Sequence, residues 1–124
     1  MRFIATLATV SVVMFASSQA WAQEAAAGEK VFAKCKACHT TEDKNKVGPS
    51  LKGLFGRTAG THAGFKYSQA MMDAGKGGLV WDEAKLKEYL HNPRAMVKGT
   101  KMAFAGLKED ADIDNLEAYL KQFP

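Results

Sequence analysis

The stretch VFAKCKACHTTE, residues 31–42, holds both cysteines of this 124-residue chain, and its interpretation decides the fold. Cys35 and Cys38 are separated by two residues, and His39 follows directly. A C-x-x-C pair is typical of a redox dithiol, of half a zinc site or of an attachment point for a cofactor. The choice among the three depends on the compartment of the protein and on the elements that flank the pair.

The start of the chain has the pattern of a secretory signal. Arg2 precedes an uncharged apolar run over residues 3–16, and an A-x-A cleavage site ends at Ala22. The run is short for a bilayer span, which needs about 20 residues. We therefore expect a signal peptide over residues 1–22, cleaved after Ala22, and a mature periplasmic domain over residues 23–124 that does not span the membrane.

Composition and charge exclude some classes of function. The expected mature chain is long enough for one small domain, whose modest core would depend on a bound cofactor. Without Arg2, 16 basic residues face 13 acidic ones, a formal charge near +3. This excess is far from the dense basic surface that binds nucleic acid. We expect no nucleic-acid partner, and a monomer.

Helical periodicity recurs along the chain and no segment alternates as a strand does, which predicts an all-α domain. After a flexible QEAA, residues 23–26, a first helix is predicted in AAGEKVFAKCKACH and a second in SQAMMDAG. Asp82 is a good N-cap for a third helix that ends before Pro93. Asp112 is the predicted N-cap of the last helix, in whose first turns Asp114 and Glu117 favour the helix dipole.

Gly28 and the glycine-rich segment 39–65 both need a structural explanation. Gly28 lies inside the first predicted helix, where glycine costs about 1 kcal/mol relative to alanine, so we expect another backbone to approach it closely. Residues 39–65 are rich in glycine and show no regular pattern, which predicts a loop. Long loops of this kind in a small domain are usually functional, and we expect this one to wrap around a bound group.

The three interpretations of the cysteine pair make different demands. Export would normally lead to a disulfide. A thioredoxin-type dithiol starts a helix, whereas this pair lies near the end of one, and a zinc site would need His62 or His91 as a fourth ligand without typical spacing. C-x-x-C-H is the pattern of covalent haem attachment, in which two sulfurs on one turn reach the haem vinyl groups and His39 lies under the iron. The motif favours haem, with a disulfide or redox pair as the alternative.

A second axial ligand decides whether such a haem transfers electrons or binds small molecules. The expected mature chain has four methionines: Met71, Met72, Met96 and Met102. The first three have apolar neighbours and fit as core residues. Met102 lies in KGTKMAFAG, where no helix explains its burial, and is a candidate ligand, with His62 and His91 as weaker ones.

Six segments, in one order and over nearly all of the mature chain, resemble a known family: GEKVFAKCKACHT, VGPSLKGLFGRTAG, GFKYS, YLHNPR, GTKMAFAGLK and LEAYLK. The chain resembles class I c-type cytochromes, closest to mitochondrial cytochrome c and bacterial cytochrome c2. The resemblance implies a small cytochrome c fold, in which long loops wrap one covalently bound haem c. It also implies that the first helix crosses the last one, with Gly28 and Phe32 against Leu116 and Tyr119.

The resemblance further implies a set of cofactor-binding residues. Cys35 and Cys38 would hold the haem through two thioethers, with His39 and Met102 as axial ligands of the iron. The Pro49 carbonyl would accept a hydrogen bond from His39. The remaining implied positions are Arg57, Tyr67 and Trp81 at a haem propionate, Tyr89 and Thr100 on the methionine side, and Phe104 at the haem edge.

The function implied is that of a soluble one-electron carrier, not an enzyme, that shuttles between membrane-bound respiratory or photosynthetic complexes. Lys34, Lys101 and Lys108 match positions that ring the haem edge, where a cytochrome bc complex, a terminal oxidase or a reaction centre would dock. Lys98 departs from the family, since mitochondrial members have proline there, and would loosen the Met102 loop. The alternative is therefore a ligand-sensing or peroxidase-like haem protein from which Met102 dissociates.

Overall fold

The computed structural model describes residues 17–124, and only the backbone of residues 17–23. Five helices follow one another: α1 Ser17–Phe32, α2 Gln69–Lys76, α3 Glu83–His91, α4 Pro93–Met96 and α5 Asp110–Leu120. The described part of the chain has no strand, only an isolated bridge between Thr58 and Val80. None of the described helices is long and apolar enough to cross a bilayer. The all-α prediction is confirmed.

The first and last helices cross where Gly28 faces α5. A Cβ at position 28 would overlap the carbonyl oxygen of Asn115 and lie 2.7 Å from the Cβ of Tyr119. One turn further on, the rings of Phe32 and Tyr119 pack with centroids 5.3 Å apart. The close approach predicted for Gly28 is confirmed, and it explains why this position accepts the helix cost of glycine.

Helix α3 closes the other side of the core. Asp82 caps it as predicted, because its side chain accepts a hydrogen bond from the Lys85 N–H at 2.7 Å. Its buried face joins the inner face of α5 in one core. The most deeply buried apolar side chains of this core are Ile113, Ala59, Leu116, Leu107, Leu120 and Val97. A core of about a dozen residues leaves the long connections to be held by hydrogen bonds.

Three boundaries predicted from the sequence are wrong. QEAA is helical rather than flexible, and its Ala25 is buried. Helix α1 ends at Phe32 instead of reaching His39, because Cys35 N–H bonds to the Phe32 carbonyl at 2.8 Å and the chain tightens into turns. The last helix begins at Asp110, with no side-chain cap from Glu109, so Asp112 lies in its first turn rather than at its N-cap.

The expected signal peptide, residues 1–22, lies outside the described residues up to position 16. Its last six residues belong to α1. Cleavage after Ala22 would therefore fall inside this helix and leave its second half, which makes the contact at Gly28.

Candidate functional site

His39 has a defined orientation. Its ring Nδ1 donates to the Pro49 carbonyl at 2.7 Å, and the partner is a carbonyl oxygen, so Nδ1 must hold the hydrogen. Burial lowers the pKa of His39, more than the Pro49 contact raises it, and Lys46 lowers it further. The ring is thus neutral near pH 7, with the lone pair of Nε2 available. This is the state in which an imidazole binds a metal.

Gly48 holds the flat side of the same ring. A Cβ at this position would lie 2.8 Å from His39 Nδ1 and 2.9 Å from Nε2, so only a glycine lets the backbone lie against the imidazole. The Gly48 N–H donates to the Cys38 carbonyl at 2.8 Å, which keeps the two segments together. The sequence predicted an irregular loop over residues 39–65, but not that Gly48 packs on a ring.

The two cysteines lie on the turn that follows α1. Cys35 packs partly against the core, and Cys38 is exposed. The His39 N–H bonds to the Cys35 carbonyl at 2.9 Å, so the turn places the histidine directly after the exposed thiol. Both thiols are free, and burial raises the pKa of Cys35. A reactive dithiol needs a lowered thiol pKa, and the pKa of Cys35 is shifted in the opposite direction.

The other histidines are engaged elsewhere. His62 Nε2 lies 3.7 Å from Asp43, and His91 bonds through Nδ1 to the Leu107 carbonyl at 2.9 Å and through Nε2 to Asp110 at 2.7 Å. Within residues 24–124, no three His, Cys, Asp or Glu side chains are grouped as a metal site. The zinc interpretation therefore has no support in the described part of the chain.

Met102 lies in the irregular segment between α4 and α5, which we call the methionine loop, residues 97–109. Its side chain is half-buried and packs against the core. Thr100 Oγ1 lies 2.8 Å from the Tyr89 hydroxyl and accepts from the Met102 N–H at 3.4 Å. The loop is therefore joined to α3 just before the methionine, which limits how far the thioether can move.

Arg57 and Trp81 lie side by side. The Trp81 N–H donates to the Arg57 carbonyl at 2.9 Å, and the Gly56 N–H donates back to the Trp81 carbonyl at 2.8 Å. The Arg57 guanidinium bonds to the carbonyls of Ser50 and Lys52, and burial lowers its pKa. Trp81 is buried, and among residues 24–124 no group accepts from its indole N–H.

Tyr67 and Phe104 are both half-buried. The Tyr67 hydroxyl accepts from the His62 N–H at 3.2 Å, and its ring packs on Phe65 with centroids 4.8 Å apart. Phe104 lines a surface cavity of about 400 Å³ with Asn92, Arg94, Ala103 and Ala105. Neither contact assigns a role in binding a cofactor.

The donor chemistry of these residues fits a haem. His39 offers a neutral nitrogen, Met102 a thioether on the core surface, and Cys35 and Cys38 two free thiols immediately before the histidine. Imidazole with thioether is a ligand pair that haem iron accepts. Trp81 and Arg57, on hydrogen-bonded neighbouring segments, carry an indole N–H and a guanidinium. The arrangement suits a group that is apolar at its centre and acidic at one edge.

Comparisons with known proteins point to one family. Residues 25–124 match the model of the family described as Cytochrome c. Cytochrome c2 of Afifella marina is 56% identical over 100 residues, 79% of this chain and 81% of the relative. Cytochrome c-550 of Nitrobacter winogradskyi is 52% identical over 99 residues, 78% of this chain and 88% of the relative. The solved structure of cytochrome cH from Methylobacterium extorquens is 50% identical, with a TM-score of 0.73, and covers 79% of this chain and 97% of its own.

Proposed function

The chain belongs to the cytochrome c family, and from this premise we propose that it is an electron carrier with one covalently bound haem c. The observation that supports this most is the neutral His39 ring, held through Nδ1 by Pro49 directly after the two free thiols. When bound, haem iron alternates between the ferrous and ferric states and so accepts and donates one electron. The function of the protein is therefore electron transfer, not enzymatic turnover.

The proposed attachment uses both cysteines and the histidine of the C-x-x-C-H turn. Cys35 and Cys38 provide the two thioether sulfurs, and His39 Nε2 provides the first axial ligand. The Pro49 carbonyl keeps the proton on Nδ1 and makes the imidazole a better donor to the metal. A ring held in this way needs no reorganisation when the charge of the iron changes.

The second axial ligand is proposed to be Met102. Thioether ligation raises the reduction potential, because the soft sulfur favours ferrous iron. The contact between Tyr89 and Thr100 holds the methionine loop to α3 just before Met102, which supports this role. If His39 and Met102 both bind the iron, small molecules would be excluded, and this would separate a carrier from a ligand sensor.

The acidic edge of the cofactor is proposed to lie near Trp81, Arg57 and Tyr67. Trp81 is a buried residue whose indole N–H has no acceptor within residues 24–124, so a propionate oxygen could accept from it. Arg57 offsets the propionate charge from the adjacent backbone position. Phe104 is proposed to cover the haem edge at the surface.

We also propose that the protein works in the periplasm after removal of residues 1–22. Lys34, Lys101 and Lys108 are exposed, and within residues 24–124 none of them forms an ion pair. Such lysines would attract the acidic surface of a redox partner, such as a cytochrome bc complex, a terminal oxidase or a reaction centre. N-terminal sequencing of the periplasmic form should begin at Gln23.

Covalent attachment is tested by acid-acetone extraction of the purified protein. The wild-type protein should keep its red colour in the protein pellet, since thioether bonds survive the solvent. Replacement of both Cys35 and Cys38 by alanine should release the haem or prevent its incorporation. Extraction of all haem from the wild-type protein would contradict the proposal.

A further inference from the structure

The peptide group between Pro49 and Ser50 is hydrogen-bonded at both ends. Its carbonyl oxygen accepts from His39 Nδ1 at 2.7 Å, and its N–H donates to Asn45 Oδ1 at 2.9 Å. The side chain of Asn45 therefore contacts the same peptide group that holds the histidine, from the opposite side.

Asn45 is itself fixed by a second contact. Its Nδ2 donates to the Ala63 carbonyl at 3.0 Å. Because the Ser50 N–H needs an acceptor and the Ala63 carbonyl needs a donor, only one orientation of the amide satisfies both. The resulting chain of hydrogen bonds runs from the His39 ring through one peptide group and one side-chain amide to the 58–67 loop.

The Ser50 end of this chain is buried, whereas the Asn45–Ala63 contact lies at the surface. Ser50 is 0% exposed, and its hydroxyl donates to the Glu42 carbonyl and accepts from the Lys52 N–H at 3.1 Å. The Leu51 N–H bonds to the Thr40 carbonyl at 2.9 Å. The turn is thus braced on both sides of the Pro49–Ser50 peptide group, and Asn45 is the acceptor for the Ser50 N–H.

We propose that Asn45 is a positioning residue for His39, which orients and polarises the Pro49–Ser50 peptide group and so tunes the imidazole as an axial ligand. This inference rests on the proposed function, since it requires His39 to bind the haem iron. An acceptor on the N–H of a peptide group increases the electron density on its carbonyl oxygen. The oxygen then accepts more strongly from Nδ1, and the more basic imidazole favours ferric iron.

The expected size of the effect is modest and its sign is defined. Cooperative strengthening of about 10–30% of one charge-assisted hydrogen bond corresponds to about a 1.3- to fivefold change in the ferric-to-ferrous ratio. At 59 mV per tenfold change for one electron, the shift is about 7–40 mV. Loss of the Asn45 acceptor should raise the reduction potential.

The test compares three variants of the haem-loaded protein. Asn45→Ala removes the acceptor, Asn45→Asp keeps it, and Ser50→Ala removes two neighbouring side-chain hydrogen bonds while the peptide group and Asn45 stay intact. We expect Asn45→Ala to raise the potential and to move the His39 Nδ1–H proton resonance of the reduced protein upfield. Asn45→Asp should restore the downfield resonance, and Ser50→Ala should leave both quantities at the wild-type value.

Two outcomes would overturn the proposal. If Asn45→Ala and Ser50→Ala shift the potential and the resonance alike, Asn45 only stabilises the loop. If Asn45→Ala lowers the potential, the polarisation has the wrong sign. The proton NMR spectrum of the wild-type protein separates these outcomes from failure of the proposed function, because a wild-type protein without a histidine-ligated haem would already lack the His39 Nδ1–H resonance.

Discussion

At the scale of single residues, the reactive side chains of the site could be predicted from the sequence, but the residues that hold His39 in place could not. C-x-x-C-H names the two thiols and the histidine directly, because their spacing along the chain sets their spacing on one turn. Gly48 and Asn45 act on His39 across a fold of the chain, through a ring contact and a peptide group. Nothing in the local pattern distinguishes them from ordinary loop residues.

Glu117 is a core residue whose surroundings were also not predictable from the sequence. The sequence suggested that it favours the helix dipole near the start of α5, but this interpretation is wrong, because α5 begins at Asp110 and Glu117 is 5% exposed. Its Oε1 has no partner among the described residues. Burial, reinforced by Asp114 and opposed by Lys87, raises the pKa of Glu117 to about 7.

This carboxyl group should make stability depend on pH. A carboxyl with a raised pKa stabilises the fold while it is neutral, so its contribution is complete below pH 4.5 and is lost as the pH rises through 7. Glu117→Gln should equal wild type at pH 4 and be more stable at pH 8, by about 2 kcal/mol after allowance for solvent screening. Denaturant unfolding at both pH values measures this.

Glu29→Gln is the matched control, because Glu29 is exposed on α1 and should change neither value. An unfolding free energy of Glu117→Gln that follows the wild-type pH profile would show that the buried carboxyl does not titrate in this range.

At the scale of elements, the presence of a helix was easier to predict than the residues at which it begins and ends. The capped helix α3 was predicted from Asp82, and the periodicity of α5 from its buried stripe, because both signals are local. The end of α1 at Phe32 was missed, since the backbone tightens into turns there while the side chains still suit a helix. The short helix α4 has only four residues, too few to show a period.

The methionine loop depends on contacts between elements. His91, at the end of α3, bonds to the Leu107 carbonyl and to Asp110, and the Leu107 N–H donates to the Leu90 carbonyl at 2.7 Å. These contacts fix the loop after Met102, as Tyr89 and Thr100 fix it before the methionine. They counter the loosening that Lys98 suggested from the sequence.

His91→Ala should therefore release the second half of this loop. Loss of two partly exposed contacts, worth about 1–1.5 kcal/mol together, should speed the amide hydrogen exchange of Leu107 by about tenfold. His62→Ala serves as control, because His62 pairs with Asp43 and should leave Leu107 unchanged. Equal exchange rates at Leu107 in wild type and His91→Ala would refute a role for His91 in holding the loop.

At the scale of the whole molecule, the fold class followed from the absence of alternating segments and from the family resemblance. Both are confirmed by a helical chain with one core and by the match over residues 25–124. The haem ligands remain proposals, because they join segments more than sixty residues apart. No local sequence pattern shows whether two segments so far apart in the chain meet in the fold.

Charge is also a property of the whole surface. If exposed lysines guide partner docking, the second-order rate of electron transfer to an acidic redox partner should fall about tenfold between low and high salt. Lys101→Glu should reduce the low-salt rate strongly. Lys76→Glu, at the end of α2 and outside the proposed docking positions, should have a smaller effect. Stopped-flow kinetics that give salt-independent rates would exclude electrostatic guidance.

The central claim is that Met102 closes the iron site and makes this haem an electron carrier. The most direct test is the weak near-red absorption band of the oxidised protein at neutral pH, which reports an iron–thioether bond. We predict that wild type and Met96→Ala show the band, that Met102→Ala lacks it, and that only Met102→Ala binds carbon monoxide readily when reduced. A wild-type protein without the band, or a Met102→Ala variant that keeps it, would contradict the claim.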